Sequence, residues 1–231
     1  MRVSKKIYYD FKNSDNYLLL STLRSKYKRI IAHKKTDLII EGYPRSANTF
    51  SKVVVELSNP RVSIAHHMHS RAQIVRGIKY QIPTIVLLRN PKDAISSLII
   101  KTALSNNNLD RMISEYAYYY SVFYREIESF IGSIFLVNFE SVTKSPNQFI
   151  ESIGQRYNLD LESFKSDDDA ISTVFDVIKM RNISRVGHDS KKLAIPSVEK
   201  ESYKSILDDK IQRNEYYRNA YNTYLKMLSV M

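Results

Sequence analysis

The 231-residue sequence contains no cysteine, which excludes disulfide bonds, thiolate catalysis and cysteine-ligated zinc. With only 5 glycines and 6 prolines, its composition is that of a globular chain rather than a low-complexity one. No apolar run approaches the roughly 20 residues that a membrane-spanning helix needs, and the N-terminus lacks the apolar core of a signal peptide. These absences predict a cytoplasmic protein without a membrane span. A length of 231 residues predicts a single domain over residues 1–231.

Acidic residues are outnumbered, since 35 Lys and Arg against 24 Asp and Glu leave a formal charge of +11. This charge favours an anionic partner, such as a nucleic acid, an acidic membrane, a polyanionic cofactor or an acidic glycan, without choosing among them. A nucleic-acid partner is not expected, because no nucleic-acid-binding motif accompanies the charge. The basic residues within 1–36 most simply form a solvated face, with contact to a polyanion as the alternative.

The most informative stretch runs from Asp37 to Asn59. Its apolar run Leu38–Ile40 is typical of a buried strand, and from Asn48 onward apolar residues recur at the spacing of one helical face. A tight polar turn, Arg45–Thr49, joins the two. A strand that enters a helix through such a turn directs unpaired backbone N–H groups and a positive helix end at one spot, which favours phosphate. We interpret this stretch as a phosphate-binding loop.

An ordinary nucleotide-hydrolysing loop reads G-x-x-x-x-G-K-[ST], and this loop matches it only in part. Counted from Gly42, alanine (Ala47) replaces the second glycine and Asn48 replaces the lysine, whereas Thr49 is present. The lysine that would reach a terminal phosphate is therefore missing, and Arg45 supplies the positive charge earlier in the loop. An ATPase or kinase is not expected. Because alanine tolerates a left-handed backbone poorly, we expect a negative φ at Ala47.

Further apolar runs alternate with helical patterns along the chain. Strands are predicted over 83–88 and 134–137, and helices over 17–30, from Pro91, over 109–130, from Pro146, over 171–180 and after 198, with loops at 166–169 and 181–197. This alternation predicts an α/β fold, a central and mostly parallel sheet flanked by helices. Ligands of such folds bind beyond the carboxyl ends of the strands, so we expect Arg45, Arg89 and Asn138 to converge on one crevice.

Two segments carry a resemblance to a known family. Tyr43-Pro44-Arg45-Ser46-Ala47-Asn48-Thr49-Phe50 resembles the loop Y-P-[KR]-S-G-[TN]-T-[WF] of the sulfotransferases that use 3′-phosphoadenosine 5′-phosphosulfate (PAPS). Their second signature, R-x-P-x-D with a serine eight residues after the arginine, is similar to Arg89-Asn90-Pro91-Lys92-Asp93 followed by Ser97. The resemblance extends from about residue 37 to the C-terminus and leaves residues 1–36 outside. It implies the P-loop-NTPase-like sulfotransferase fold and transfer of a sulfuryl group from PAPS to an acceptor hydroxyl.

The resemblance also implies roles for individual residues. The 5′-phosphosulfate would lie on the loop formed by Arg45, Ser46, Ala47, Asn48 and Thr49, with Arg45 as the catalytic cation. Arg89 and Ser97 would hold the 3′-phosphate, since a nucleotide with phosphates on both sides needs two anion sites. Phe50 would stack on the adenine, or else belong to the core. Near the C-terminus, Arg185 and Gly187 faintly resemble the R-K-G segment that closes over the 3′-phosphate in this family.

A base must take the proton of the acceptor hydroxyl, and histidine suits this task because its pKa lies near neutrality. The family's base is a histidine in a K-T-H-x-P-type segment between the two signatures, where this chain reads His66-His67-Met68-His69-Ser70-Arg71. By position His69 matches the base best, with His67 as the alternative base or as the group beside the sulfate. No metal is expected, and a zinc site of three histidines is disfavoured because no cysteine or carboxylate accompanies them.

The identity of the acceptor and the oligomeric state stay open at this stage. A carbohydrate, a lipid headgroup or a small metabolite would all present a hydroxyl, and a carbohydrate is slightly favoured over the others. The alternative function is a non-catalytic nucleotide- or polyanion-binding protein on the same fold, which would keep the loop and Arg89 but would need no base.

Overall fold

The computed structural model describes residues 3–24, 27–103, 108–186 and 198–231. Within these ranges, four strands form one parallel sheet in the order β2-β1-β3-β4. The strands are β1 (Leu38–Gly42), β2 (Ile64–His66), β3 (Thr84–Leu88) and β4 (Phe135–Asn138). The helices are α1 (Val3–Lys12), α2 (Asp15–Thr22), α3 (Asn48–Ser58), α4 (Arg71–Lys79), α5 (Pro91–Ala103), α6 (Leu109–Ile127), α7 (Phe139–Lys144), α8 (Pro146–Tyr157), α9 (Asp167–Val186), α10 (Val198–Gln212) and α11 (Glu215–Leu228), with a 3-10 helix at Glu128–Ser133.

Helices cover both faces of the sheet. All five residues of β1 and of β3 are buried, as expected for central strands of a parallel sheet with two covered faces. Along β3, Ile85 and Leu87 point into a core shared with α3, α7, α8 and α9, whereas Val86 and Leu88 point into a core shared with α4, α5, α6, α10 and α11. The predicted α/β fold with a central parallel sheet flanked by helices is confirmed.

The strand order places a crevice between the ends of β1 and β3. The chain continues from β1 to β2 on one side, and then returns to place β3 on the other side of β1. The connections that leave β1 and β3 therefore run to opposite sides, which opens space beyond their carboxyl ends. The two motifs singled out in the sequence begin at this point, since Tyr43 follows β1 and Arg89 follows β3.

Several predicted boundaries are wrong. The acidic residues Asp167–Asp169 form the first turn of α9 instead of a loop, because their charges stabilise the positive end of that helix. The same helix continues to Val186, so the first part of the loop predicted at 181–197 is helical, and 187–197 lies outside the described residues. The helix predicted over 17–30 is confined to α2, which begins at Asp15 with Ser14 as its N-cap. The three-residue strand β2 was not predicted.

Close contact between α4 and the sheet depends on a glycine. A Cβ atom on Gly77 would lie 2.4 Å from Ile39 Cδ1 and 2.4 Å from Thr84 Oγ1, much closer than such atoms approach in folded proteins. Both neighbours are fully buried and have little room to move. The absence of a side chain at Gly77 therefore sets how closely α4 can pack on β1 and β3.

We expect the Gly77→Ala variant to lose about 1–3 kcal/mol of stability, because the added methyl group overpacks this contact. The matched control is Gly132→Ala, whose Cβ would meet nothing within 4 Å. Urea unfolding of the two variants and of the unmodified chain measures the difference. Equal stability of the two variants would contradict the close approach of α4.

Candidate functional site

A cavity of about 400 Å³ lies at the carboxyl ends of β1 and β3. The predicted site residues that line it are Arg45, Ala47, Asn48, Thr49, Phe50, His67, His69, Arg89 and Ser97. Ser46 lies in the same loop but is fully buried beneath the cavity wall. The side chain of Arg185 and the whole of Gly187 lie outside the described residues, so their role stays a prediction. Asn138 does not line the cavity, because its side chain caps α7 by accepting a bond from the Glu140 N–H.

The loop between β1 and α3 has an unusual backbone. Arg45 and Ala47 have φ values of 71° and 68°, both in the left-handed region, so the expectation of a negative φ at Ala47 is wrong. Such a conformation costs about 1–2 kcal/mol for a residue with a Cβ atom. Two bonds hold the loop in this shape: Asn48 Nδ2 donates to the Tyr43 carbonyl at 3.0 Å, and Arg89 Nη1 donates to the Arg45 carbonyl at 2.7 Å. The asparagine at the usual lysine position thus secures the loop itself.

The N-terminus of α3 lies at the cavity wall. Ala47 occupies the N-cap position and has no side-chain oxygen, so it makes no side-chain capping bond. The first N–H groups of a helix have no acceptor within the helix, and together they carry its positive partial charge. Because Ala47, Asn48 and Thr49 also line the cavity, this helix end is placed to bind an anion there.

We expect Ala47→Gly to raise the stability of the chain by roughly 1 kcal/mol, since glycine adopts a left-handed backbone without strain. The same substitution at Ala94, a buried position inside α5, should lower stability by about as much, because glycine weakens a helix interior. Chemical unfolding of both variants gives the comparison. A loss of stability at both positions would show that the left-handed conformation at Ala47 is not strained.

Two arginines meet in the cavity. Arg45 Nε donates to Ser97 Oγ at 2.9 Å, which links the loop to α5, and the Arg89 guanidinium lies 3.9 Å from the centre of the Phe139 ring. Burial, helped by the neighbouring charge of Arg89, lowers the pKa of Arg45 to about 10. The pKa of Arg89 is also lowered by burial. A pair of partly desolvated cations in one cavity favours an anionic ligand, because an anion offsets both the burial and the mutual repulsion.

The histidine segment after β2 is also strained, with φ values of 59° at His67 and 49° at His69. His69 Nδ1 donates to the Gly42 carbonyl at 2.7 Å, so in the neutral ring Nε2 carries the free lone pair. Burial is the main cause that lowers the pKa of His69 well below its usual value, and the charge of Lys12 adds to it. His69 is therefore neutral at physiological pH and can accept a proton at Nε2. By contrast, His67 Nε2 lies 3.0 Å from Thr49 Oγ1, and His67 Nδ1 lies 2.6 Å from His66 Nδ1.

A buried carboxylate that sequence reasoning missed holds this segment. Glu41, in the middle of the sheet, accepts bonds from the backbone N–H groups of Met68 and His69, each at 2.8 Å, and from Gln73 Nε2 at 3.0 Å. The side chain is fully buried, and burial raises its pKa to about 7 despite these bonds. The sequence does contain a signal for this residue, because a charged side chain directly follows the apolar run Leu38–Ile40 of a strand that is predicted to be buried. A charged group at such a position needs hydrogen-bond partners within the protein.

Two further residues support the histidine segment from the other side. Lys12 Nζ, at the end of α1, donates to Tyr119 Oη at 2.8 Å, and that hydroxyl donates to the His69 carbonyl. Burial lowers the pKa of Lys12 to about 8. The Ser70 hydroxyl donates to the Lys12 carbonyl, and the Arg71 N–H donates to Asn13 Oδ1 at 3.1 Å. The N-terminal residues that lie outside the family resemblance therefore reach the candidate site.

Glu41 makes the stability of the chain depend on pH. Between its unfolded pKa of 4.5 and its folded pKa of about 7, the folded chain retains a proton that the unfolded chain releases. The stability that this proton confers is fully present below pH 4.5 and is lost as pH rises through about 7. Glu41→Gln removes the titration, so the free energy of unfolding of the unmodified chain minus that of the variant should fall between about pH 4.5 and pH 7. Urea unfolding across this range tests it, with exposed Glu151→Gln as the control; a constant difference for Glu41→Gln would contradict the raised pKa.

The described part of the chain contains no group of three or more His, Asp or Glu side chains placed to hold a metal ion. Nor does it contain a helix with the length and apolar character needed to cross a membrane.

No protein-family model and no curated protein sequence matches this chain. Among solved structures, the crystal structure of mouse sulfotransferase SULT7A1 complexed with PAP is similar over 90% of this chain and 94% of that chain, with a TM-score of 0.48 and 14% sequence identity. A similarity this low does not assign a function, which must be inferred from the side chains of the cavity.

Proposed function

We propose that this chain is a sulfotransferase that moves the sulfuryl group of PAPS to an acceptor hydroxyl, on a carbohydrate or a small metabolite. The observation that carries the proposal is the position of His69 in the same cavity as Arg45 and Arg89. A protein that only binds an anion needs the two cations and the helix end. It has no need of a neutral histidine whose Nδ1 is fixed by a carbonyl and whose Nε2 is left as a proton acceptor.

The cavity has the groups that PAPS would require. The N-terminus of α3 and Arg45 would hold the 5′-phosphosulfate, while Arg89 would hold the 3′-phosphate, together with Ser97. Aromatic side chains suited to the adenine line the same space: Phe50 packs against Phe175 with ring centres 5.3 Å apart, and both line the cavity. The asparagine at position 48 is consistent with this donor, because no terminal phosphate requires the lysine of an ATPase.

In the proposed reaction, His69 Nε2 accepts the proton of the acceptor hydroxyl as that oxygen forms a bond to sulfur. The bond between sulfur and the bridging oxygen of the 5′-phosphate breaks, and the leaving adenosine 3′,5′-bisphosphate (PAP) keeps the electron pair. Arg45 and the N–H groups of α3 stabilise the negative charge that develops on this leaving group. His67 is the less suitable base, because its Nε2 already contacts the Thr49 hydroxyl.

The donor class is tested by a thermal-shift comparison of PAP, ATP and AMP. We expect PAP to raise the melting temperature most, because it alone has phosphates for both anion sites. Arg89→Met should weaken PAP binding by at least about tenfold, since it removes a buried cation that contacts a phosphate. The control is Lys34→Met, which removes an exposed charge outside the cavity. Equal shifts with the three nucleotides would overturn the assignment of the donor.

Catalysis is tested by the release of PAP from PAPS in the presence of hydroxyl acceptors. We expect His69→Ala to slow the reaction by roughly 100- to 10,000-fold, the range for loss of a general base, with PAP binding unchanged. His67→Ala should slow it much less. If the His69→Ala variant is as fast as the unmodified chain, His69 is not the base and the catalytic assignment is wrong. If PAP binds but no acceptor is turned over, the chain is the non-catalytic nucleotide-binding alternative.

A further inference from the structure

The two N-terminal helices leave apolar faces exposed. In α1, Ile7, Tyr8 and Phe11 are 61%, 45% and 40% exposed, and their spacing places them on one helical face. In and just after α2, Leu19, Leu20 and Leu23 are 61%, 52% and 77% exposed at the same spacing. Phe11 packs edge-on against Tyr17 of α2, with ring centres 5.8 Å apart, and so links the helices. We call these six exposed side chains the N-terminal apolar surface.

Both N-terminal helices are packed on the rest of the molecule, because each also buries an inner face. Tyr9 stacks on Tyr119 with ring centres 4.4 Å apart, and Leu18 is fully enclosed in a core with Met68. The bonds from Lys12 and Asn13 to the histidine segment hold the end of α1 in place. The six apolar side chains therefore face outward from helices whose positions are fixed, and an exposed patch of this kind marks an interaction site.

Most of the positive charge lies in the same region. Residues 1–36 contain ten Lys and Arg and only two Asp, which leaves +8 of the total formal charge of +11. Lys5 and Lys6 are exposed and directly precede Ile7 in α1, and the exposed Arg24 directly follows Leu23. Lys28 and Arg29, a few residues further along the chain, are also exposed. Leucines and aromatic side chains flanked by lysine and arginine are the pattern of an element that lies in a membrane interface and binds anionic lipids.

We propose that the N-terminal apolar surface binds the surface of an anionic lipid bilayer. Charge complementarity selects this partner over the others. A nucleic acid would use the basic residues but would leave the leucines in water, and a second copy of the chain would bring two segments of +8 together. The bilayer satisfies both features, since its headgroups are negative and its acyl boundary accepts apolar side chains. The helices lie on the membrane in this arrangement and do not cross it.

If the chain has the proposed function, membrane binding also bears on which molecule carries the acceptor hydroxyl. The end of α1 contacts Ser70 and Arg71, next to His69 in the cavity. A bilayer bound to α1 and α2 would therefore bring its headgroups near the part of the molecule that carries the base. For the proposed reaction, this position favours a carbohydrate attached to a lipid, or a lipid headgroup, over a free metabolite as the acceptor.

The test is flotation of the full chain with vesicles of phosphatidylcholine alone or mixed with phosphatidylserine. We expect binding only to the mixed vesicles, and weaker binding as salt concentration rises. Replacing Leu19, Leu20 and Leu23 together by Gln should reduce the bound fraction at least about tenfold, because the apolar contact is lost. The matched control replaces three equally apolar, exposed residues on other helices by Gln: Met180, Ile206 and Leu225. This control variant should bind like the unmodified chain.

Absence of binding to the mixed vesicles overturns the proposal, and so does an equal loss of binding in the leucine and control variants. If light scattering instead shows that the unmodified chain is a dimer and the leucine variant a monomer, the surface is a contact between copies.

The PAP-induced thermal shift is measured on all three proteins to confirm that they are folded. A normal shift without vesicle binding refutes only the membrane surface. Vesicle binding without a preference for PAP refutes only the proposed function.

Discussion

The buried carboxylate of Glu41 ties the end of β1 to the segment that carries the histidines. Without it, the N–H groups of Met68 and His69 would lie in the interior with no acceptor, a loss of about 1–3 kcal/mol for each group. The same two bonds hold His69 in its left-handed conformation, with its ring against the Gly42 carbonyl. The geometry of the candidate base thus depends on a buried carboxyl group whose charged form the interior of the sheet disfavours.

Backbone strain is concentrated around the cavity. Four residues with a Cβ atom adopt a positive φ in the two segments that line it: Arg45, Ala47, His67 and His69. Strain of this kind persists only where the surrounding structure over-determines the conformation. Here the constraints are the bonds from Asn48 and Arg89 in one segment and from Glu41 and Tyr119 in the other. Both segments follow strands of the parallel sheet, which provide a rigid base for them.

The N-terminal helices support the histidine segment on one side and carry the exposed apolar surface on the other. Their inner side holds Lys12 against Tyr119, which in turn bonds to the His69 carbonyl. Their outer side carries the exposed apolar residues and, on α1, the exposed Lys5 and Lys6. A displacement of α1 would therefore disturb the histidine segment, through the bonds of Ser70 and Arg71 to the end of α1 and through Tyr119.

Patterns within short stretches of the sequence were enough to predict three of the four strands and the two motifs that follow β1 and β3. The apolar runs of β1, β3 and β4 predicted buried strands, since a strand buried on both faces needs no polar residue. For β1 and β3 this is correct, whereas β4 lies at the edge of the sheet and is half-buried at both ends. The motifs after β1 and β3 predicted that Arg45 and Arg89 share a crevice, because the carboxyl ends of parallel strands lie on one edge of a sheet. The strand β2 escaped prediction because it has three residues and one of them is a histidine.

Only the tertiary structure decided the backbone of Ala47, the tautomer of His69 and the part played by residues 3–13. The φ of Ala47 depends on two bonds that hold the loop: Asn48 donates to the Tyr43 carbonyl, and Arg89 donates to the Arg45 carbonyl. Arg89 lies 44 residues after Arg45 in the sequence. The proton of the neutral His69 ring is placed on Nδ1 because Nδ1 donates to the carbonyl of Gly42, the last residue of β1, which lies 27 residues earlier in the sequence. The sequence by itself determined which side chains of the two motifs could meet. Contacts between distant segments, which no local pattern records, decided their conformations and their protons.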